Sequence, residues 1–288
     1  MEKDHLTYGF FPGCAYPTAA GYRESVDAVN RRLGIELVEL SDWNCCGATS
    51  MFSLNQDDAL ALTGRLFGLA EAQGHEQIIT VCNACYTTLR KARQMLVENP
   101  PELARVNERL SREGLRLTRL PTLRHYLEIL YADVPAAAWS AGRPHSVRRI
   151  RVAAYYGCQL TRPWEDLDHG ERPSLLDRFF SRLGFQAVDH SARTTCCGAS
   201  HALPYAKDCR PMIRRIVEEA RRRGAHAIST LCPLCQFNLD SLQTPADEVP
   251  IPVPYFSQLA GLALGISPKE LGFDKLLIPA ETVIAKIV

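Results

Sequence analysis

The sequence predicts an α/β protein made of two duplicated modules, each a small, mostly parallel sheet with flanking helices. Short apolar runs alternate with longer amphipathic segments, a pattern typical of β-α-β units. Three cysteine-bearing blocks also occur twice in the same order, at offsets of 144, 151 and 150 residues. The expected boundaries are 1–100 for an N-terminal Cys-Cys-Gly module, 101–148 for a helical connector and linker, 149–265 for a C-terminal Cys-Cys-Gly module and 266–288 for an apolar tail.

Strands and helices alternate in the first module. Gly34 and Gly74 follow two of the amphipathic segments, and we expect each glycine to end a helix because it adopts the left-handed conformation of a helix C-terminus easily. The predicted strands cover 6–11, 35–40 and 78–81, and the predicted helices cover 20–33, 56–73 and 84–97.

The second module repeats this plan. Its predicted strands lie near Val152, Phe185 and Ile228, and a long helix is predicted over 205–223. Between the modules, 103–130 has a helical pattern, and 131–146 is rich in Ala and Pro and is predicted to be a linker. After Pro250 we expect a short helix over 256–264 and an apolar tail over 271–288.

Composition and charge exclude several classes of function. The chain has 33 basic and 32 acidic side chains, a net charge of +1, which gives no electrostatic reason to expect nucleic acid or a membrane surface as a partner. The first ten residues contain no apolar run, so no signal peptide is expected. The most apolar late stretch, 255–266, is too short to span a bilayer. We therefore expect a cytoplasmic protein whose thiols stay reduced unless they bind something.

Eleven cysteines are the anomaly of the composition. An odd number with adjacent pairs is a poor disulfide framework, so a metal is the first expectation. Cys209 stands outside the repeat, since the residue 150 positions earlier is Ala59, and we interpret it as a small helix residue. The other ten form two matched sets, Cys14, Cys45, Cys46, Cys82 and Cys85 in the first half and Cys158, Cys196, Cys197, Cys232 and Cys235 in the second.

Five cysteines in each half exceed what the common metal sites need. All five are predicted at or just past the carboxyl ends of strands, the edge where open parallel sheets bind ligands. Zinc and standard iron–sulfur clusters each take four cysteines, so the fifth thiol indicates a cluster with an extra or differently connected iron. The glycine after each Cys-Cys pair permits the tight turn that brings both thiols to one site. A zinc-stabilised scaffold with spare buried cysteines is the alternative.

These motifs resemble the B-subunit family of heterodisulfide reductases. The spacing is Cys, 30 residues, Cys-Cys-Gly, 34 residues, Cys-x-x-Cys in the first copy, and 37 and 33 residues in the second. The first gap is one residue shorter than the family pattern. The resemblance extends over nearly the whole chain and includes the segments Asp42-Trp43-Asn44-Cys45-Cys46-Gly47-Ala48, Tyr155-Tyr156-Gly157-Cys158-Gln159, Cys232-Pro233-Leu234-Cys235-Gln236 and Tyr255-Phe256-Ser257-Gln258-Leu259.

The resemblance implies two non-cubane [4Fe-4S] clusters, each held by the five cysteines of one half. It also implies a disulfide substrate that enters between the clusters and is reduced to two thiols. The implied partners are a small ferredoxin-like protein, which delivers electrons one at a time, and a flavoprotein from which it receives them. The same site running in reverse would oxidise thiols or sulfane sulfur.

Two further side chains near the second Cys-Cys-Gly block are candidates for catalysis. His201 is a candidate proton donor or anion-binding group, because histidine titrates near neutral pH, and Lys207, near the same motif, is a candidate of the same kind. Solvated loop residues are the alternative interpretation of both. For the whole chain, the alternative functions are an electron-transfer iron–sulfur subunit of a lactate or glycolate oxidation complex, and the zinc scaffold.

Overall fold

The computed structural model describes residues 6–48, 50–140, 144–165, 167–243 and 250–286, together with the backbone but not the side chain of His145. The start of the predicted N-terminal segment, part of the predicted linker and the end of the predicted tail lie outside the described residues; these are 1–5, 141–143 and 287–288.

The described residues alternate between strands and helices, as the sequence predicts. The strands are β1 (Leu6–Phe11), β2 (Ile35–Glu39), β3 (Gln77–Thr80), β4 (Thr122–His125), β5 (Arg151–Tyr155), β6 (Gln186–Val188) and β7 (Ala227–Thr230). The helices are α1 (Ala15–Thr18), α2 (Tyr22–Leu33), α3 (Met51–Leu54), α4 (Gln56–Ala72), α5 (Asn83–Glu98), α6 (Pro100–Leu110), α7 (Tyr126–Ala132), α8 (Leu175–Leu183), α9 (Ala206–Arg222), α10 (Pro233–Ser241), α11 (Phe256–Ala263) and α12 (Glu281–Ile284).

The strands form two small parallel sheets, which confirms the predicted α/β class. The first sheet has the order β2-β1-β3-β4 and the second the order β6-β5-β7. All named strand pairs are parallel. The chain divides into two compact units, one made of 1–14 and 34–129 and the other of 15–33 and 130–288. The boundaries expected at 100, 148 and 265 stay a prediction.

The first unit packs its helices on the sheet through a core that includes Phe11, Leu60, Phe67 and Leu89, none of which has exposed surface. Burying side chains of this size stabilises a fold by about 1.5–3 kcal/mol each. Three cysteines belong to the same core cluster, namely Cys46, Cys82 and Cys85. The core therefore extends directly into the cysteine-bearing edge of the sheet.

The second unit has an equivalent core around Ile213, Ile216 and Ile228, which also includes three of its cysteines. Helix α2, although it follows Cys14 in the chain, belongs to this unit and packs against α11. The ring of Tyr22 stacks on that of Tyr255 at 4.2 Å and 21°.

One element of the connector differs from the expectation. The continuous helix predicted over 103–130 is wrong: α6 ends at Leu110, and β4 and α7 follow. Gly114 reverses the chain in the left-handed conformation, with φ of 71°. Strand β4 then pairs with β3, and the backbone N–H of Thr122 donates to the Glu76 carbonyl at 2.8 Å. Because β3 provides a partner strand here, Thr122–His125 form a strand although they contain no apolar run.

The predicted linker also contains ordered structure. Residues Ala136–Trp139 form a 3₁₀ turn, and the Trp139 side chain is fully buried. Its ring contacts Phe179 edge to face, with centroids 5.3 Å apart. In the tail, a second 3₁₀ turn at Phe273–Lys275 precedes α12, and Val283 is buried. Both segments therefore contribute side chains to the packing of the second unit.

Candidate metal centres

The five cysteines of the first half lie at the carboxyl edge of the first sheet, as predicted. Cys14 follows β1 by three residues, and the Cys45-Cys46 pair follows β2. Cys82 is the residue that caps the N-terminus of α5, and Cys85 lies in its first turn. The partial positive charge of a helix N-terminus favours the thiolate form of cysteines placed there.

The thiols of this half are packed closely. Cys46 and Cys85 have their sulfur atoms 3.2 Å apart, and the backbone N–H of Gly47 donates to the sulfur of Cys45 at 3.4 Å. Gly13 precedes Cys14, and a Cβ atom at this glycine would lie 2.8 Å from the sulfur of Cys85. The loop after β1 therefore approaches the α5 cysteine as closely as it does only because it has no side chain there.

Packing and burial change the acidity of these thiols. The neighbouring thiols of Cys46 and Cys82, together with burial, raise the pKa of Cys85 well above its ordinary value. Hydrogen bonds from Cys45 and Cys85 lower the pKa of Cys46. Desolvated thiolates this close repel one another, so the protein alone holds at most part of the set as anions. A cation among the five sulfur atoms would remove that restriction.

The second half repeats the arrangement in the second unit. Cys197 and Cys235 have their sulfur atoms 3.4 Å apart, and the N–H of Gly198 donates to the sulfur of Cys196 at 3.3 Å. Cys232 caps the N-terminus of α10, whose first turn contains Cys235. A hydrogen bond with Cys196 raises the pKa of Cys158, and hydrogen bonds with Cys197 and Cys232 raise that of Cys235.

Neighbouring donors stabilise the thiolates of the second pair. The hydrogen bond with Cys158 lowers the pKa of Cys196, and the one with Cys235 lowers that of Cys197. The side-chain amide of Asn238 also donates towards the sulfur of Cys197 at 3.5 Å, and more closely to the carbonyl of Ala199 at 2.9 Å. The amide of Asn238 thus fixes the Cys-Cys-Gly turn to α10.

Of the two predicted catalytic side chains, His201 lies beside the second cysteine cluster. It is exposed in the 3₁₀ turn Ala199–Ala202, and it lowers the pKa of Cys196 electrostatically. Lys207 is exposed in the first turn of α9. Among the described residues, only His201 of these two shows an interaction with a cluster cysteine.

Sequence reasoning missed three polar neighbours of the clusters. Asn238 follows Cys235 by three residues, and the relation of its amide to Cys197 is visible only in three dimensions. His125 ends the unpredicted strand β4 and interacts electrostatically with Cys82. The third is Cys209, which the sequence predicts to be a small helix residue. It is indeed buried in α9, but a Cβ at Gly198 would lie only 2.4 Å from its sulfur.

The chemical type of the donors suits an iron–sulfur group. Each half offers five sulfur donors, of which three are buried and two lie closer to the surface. Soft thiolates select zinc, copper(I) and iron–sulfur clusters among biological metals, and hydrophobic surroundings exclude water from the bound group. Within the described residues, no three His, Cys, Asp or Glu side chains are arranged as the ligands of one metal ion.

Comparison with known families gives a match in both halves. The cysteine-rich domain family CCG matches the chain twice, over residues 8–90 and 152–240. Each match contains all five cysteines of its half. The duplication expected from the cysteine spacing is therefore confirmed at the level of a domain family.

Two relatives match over nearly the full chain. The 8-methylmenaquinol:fumarate reductase membrane anchor subunit of Wolinella succinogenes is 32% identical, and the match covers 97% of this chain and 99% of that one. The B subunit of the ferredoxin/F(420)H(2)-dependent CoB-CoM heterodisulfide reductase of Methanosarcina acetivorans is 31% identical, with coverage of 96% and 95%. In the part of this chain that the structure describes, no helix is both long and apolar enough to cross a membrane.

A solved structure from Helicobacter pylori, described as a hypothetical protein, has the same fold. The TM-score is 0.74 at 16% sequence identity, and the match covers 97% of this chain. This chain spans about half of that one, since the match covers 52% of it. At this identity the likeness concerns the fold alone.

Proposed function

The chain belongs to the cysteine-rich CCG domain family and is a relative of the heterodisulfide reductase B subunit, and from this premise we propose that it is the catalytic iron–sulfur subunit of a heterodisulfide reductase-like complex. The observation that carries the proposal is the set of five thiols at one sheet edge, present twice, with one sulfur–sulfur pair within 3.4 Å in each half. The reaction is the reduction of a disulfide to two thiols, with two electrons and two protons consumed.

Each half holds one cluster in this proposal. Five thiols are one more than a cubane [4Fe-4S] cluster uses, which favours a non-cubane cluster in each half. Cys14, Cys45, Cys46, Cys82 and Cys85 would hold the first, and Cys158, Cys196, Cys197, Cys232 and Cys235 would hold the second. When bound, each cluster supplies one electron and an iron site that acts as a Lewis acid on one sulfur atom of the substrate.

The burial of the cysteines distinguishes a buried side and a more exposed side of each proposed site. Cys14 and Cys45 are exposed, whereas Cys46, Cys82 and Cys85 are buried in the core. The buried thiols would hold the cluster against the sheet, and the exposed side is where a substrate sulfur would approach. The second half has the same order, with its two outer cysteines partly buried.

His201 and Lys207 are the proposed proton donors or anion-binding groups. His201 acts electrostatically on Cys196, one of the two outer cysteines of the second half. An exposed imidazole at this place would supply a proton to a thiolate product and exchange its own proton with water. Lys207, also exposed, would attract an anionic substrate.

Partner proteins follow from the proposed reaction, since the reduction of a disulfide needs a source of electrons. We expect electrons to arrive one at a time from a small ferredoxin-like protein, which receives them from a flavoprotein. The near-neutral charge gives no reason to include nucleic acid among the partners. The proposed location is the cytoplasm.

Metal and activity analysis of the anaerobically purified protein tests the proposal. Two four-iron clusters require about eight iron and about eight acid-labile sulfide per chain. We then expect reduction of added disulfides by a reduced viologen dye, with two thiols formed per disulfide. Zinc in place of iron would overturn the proposal and support the scaffold function.

A second candidate function rests on the Wolinella succinogenes relative, which is named as part of an 8-methylmenaquinol:fumarate reductase. In that case the clusters would only relay electrons, for example between a quinol and a partner reductase. Iron and sulfide at the same amounts, dye-reduced clusters that are reoxidised by a soluble quinone, and no turnover of any disulfide would favour this relay. The two functions thus differ in the electron acceptor and share the metal content.

A further inference from the structure

His125 is a buried polar residue at the cysteine edge of the first sheet that the proposed reaction does not use. It is the last residue of β4, and it pairs in register with Thr80 of β3. Cys82 lies two residues beyond Thr80. The carboxyl ends of neighbouring parallel strands meet at one edge, so β4 brings His125 to the same edge as the cysteines.

The ring of His125 has a defined tautomer. Its Nδ1 accepts a hydrogen bond from the backbone N–H of Leu127 at 3.2 Å, so in the neutral ring the proton is on Nε2. The residue has no exposed surface, and within the described residues no group accepts a hydrogen bond from Nε2. A buried donor left without an acceptor destabilises the folded chain, and a bound group that accepts from it would remove that cost.

The ring of His125 lies beside the first turn of α5, where Cys82 and Cys85 are found. The ring of Tyr86, the residue after Cys85, contacts the imidazole edge to face, with centroids 5.6 Å apart. Cys82 interacts with it electrostatically. Because Nε2 keeps its hydrogen, the imidazole is a donor and not a metal ligand.

We propose that the Nε2–H group of His125 donates a hydrogen bond to a sulfur atom of the group bound by the first cysteine cluster, either the Cys82 thiolate or an inorganic sulfide. The inference rests on the proposed function only in that an iron–sulfur cluster is bound. A hydrogen bond to a cluster sulfur stabilises the added electron, so His125 raises the reduction potential of the first cluster.

The second unit has a different residue at the same place. Thr230, the counterpart of Thr80 at an offset of 150, forms a parallel bridge with Tyr255. The Tyr255 hydroxyl donates to the side-chain carbonyl of Gln236 at 3.2 Å, so its donor is satisfied within the protein. The donor at this register position is therefore available to a bound group in the first unit alone, and we expect only the first cluster to be affected.

Two variants of His125 test the inference through the cluster potential. H125Q keeps an N–H donor close to the position of Nε2, whereas H125L removes it at similar volume. We expect H125L to move one cluster midpoint potential to a more negative value in an anaerobic redox titration. H125Q should keep it near that of the natural protein. Y255F is the matched control, for which we expect no change in that potential.

A spectroscopic measurement identifies the donor directly and does not depend on the stability of H125L. In the natural protein with ¹⁵N-labelled histidine, we expect a hyperfine coupling between ¹⁵N and the reduced first cluster, and we expect H125Q to lose it. Two results, each in protein with a normal iron content, would overturn the inference. One is an equal cluster potential in H125L and the natural protein, and the other is a hyperfine coupling that persists in H125Q. A natural protein without iron would instead contradict the proposed function.

Discussion

The two cysteine clusters share the same backbone plan but have different surroundings. In the first half, the outer cysteines Cys14 and Cys45 are exposed, whereas their counterparts Cys158 and Cys196 are partly buried. In the second half, Asn238 donates towards a cluster thiol, and the residue at the equivalent position of the first half is Thr88. Duplication has kept the cysteines and changed their environment, so groups bound by the two sets would differ in potential and in access.

The largest expected effect is the loss of one metal group on removal of a buried cysteine. C85S or C235S replaces a soft sulfur donor with a hydroxyl in a dehydrated site, so we expect each variant to lose about half of the iron, for one four-iron cluster out of two. Iron and sulfide analysis of the purified variants measures the loss. Disulfide reduction should fall to background in both.

Cys209 provides the matched control for these variants. It is buried like Cys85 and Cys235, but it lies outside both sets of five. C209S should keep the full iron content and the full activity. Iron loss in C209S would mean that the second cluster uses a sixth thiol, and the symmetry between the halves would then be incorrect.

A smaller effect is expected at the glycine of each Cys-Cys-Gly turn. Gly198 has φ of 91° and Gly47 has φ of 73°, so an alanine at either position costs about 1–2 kcal/mol for the left-handed backbone. At Gly198 the new Cβ would also lie 2.4 Å from the sulfur of Cys209, whereas at Gly47 it would lie 3.0 Å from the flexible side chain of Met51.

G198A should therefore destabilise the protein more than G47A does, by a further amount of about 1–3 kcal/mol for the steric conflict. Chemical unfolding of the two variants under anaerobic conditions measures the difference. The double variant G198A/C209A removes the conflicting sulfur and should restore most of that further loss. Equal destabilisation by G198A and G47A would show that the packing of Cys209 against the turn is loose.

Acid sensitivity should also differ between two equivalent positions of the halves. His190 is buried in the second unit, and the equivalent residue of the first is Leu40, which is buried as well. Burial lowers the pKa of His190, and Arg193 lowers it further, whereas hydrogen bonding to the Ala154 carbonyl and the charges of Glu219 and Asp189 oppose the shift. The folded protein therefore favours the neutral form of the His190 ring.

The sign of the effect follows from linkage. The contribution of His190 to stability is fully present above the ordinary histidine pKa of about 6.5, and it is lost as the pH falls towards the lower pKa of the folded state. Over that range one proton gives a slope of up to about 1.4 kcal/mol per pH unit. H190L should flatten this part of the stability profile measured by unfolding between pH 7 and 5. An unchanged profile would mean that His190 is hydrated in the folded protein.

Much of the fold and the site could be predicted because their signals are local. Each predicted strand is a short apolar run, and several of the helices have an amphipathic period with a glycine at the end, as at Gly34, Gly74 and Gly224. The internal repeat is enough to group the ten cysteines into two sets. Their positions relative to the predicted strands then place them just past the strand ends. These predictions depend on residues close together in the sequence, where pattern and structure are directly linked.

The parts that could not be predicted depend on long-range pairing. Strand β4 has no apolar run of its own and forms because β3 offers an edge, so its residue His125 could not be placed near the cysteines in advance. The choice of Cys46 as the close partner of Cys85 depends on how the loops fold over the sheet edge. The same holds for the contact between Cys209 and Gly198.

The smallest expected effect concerns an aromatic position that precedes the first cysteine of each half. Tyr155 and Phe11 are equivalent and fully buried, and the Tyr155 hydroxyl donates to the carbonyl of Thr195, next to Cys196, at 2.6 Å. Y155F removes one hydrogen bond and should lower the free energy of unfolding by about 0.5–1.5 kcal/mol. Thr195 is only partly buried, so water can replace the lost donor and the lower end is expected.

Y155F should leave the potential of the second cluster unchanged, because the hydroxyl donates to a backbone carbonyl and not to a sulfur atom. Redox titration of Y155F and H125L compares the loss of a hydrogen bond to a backbone carbonyl with the loss of the proposed hydrogen bond to sulfur. A shift in Y155F as large as that in H125L would mean that any polar group near a cluster changes its potential through its dipole. Direct donation from His125 to a sulfur atom would then not be needed to explain the shift in H125L.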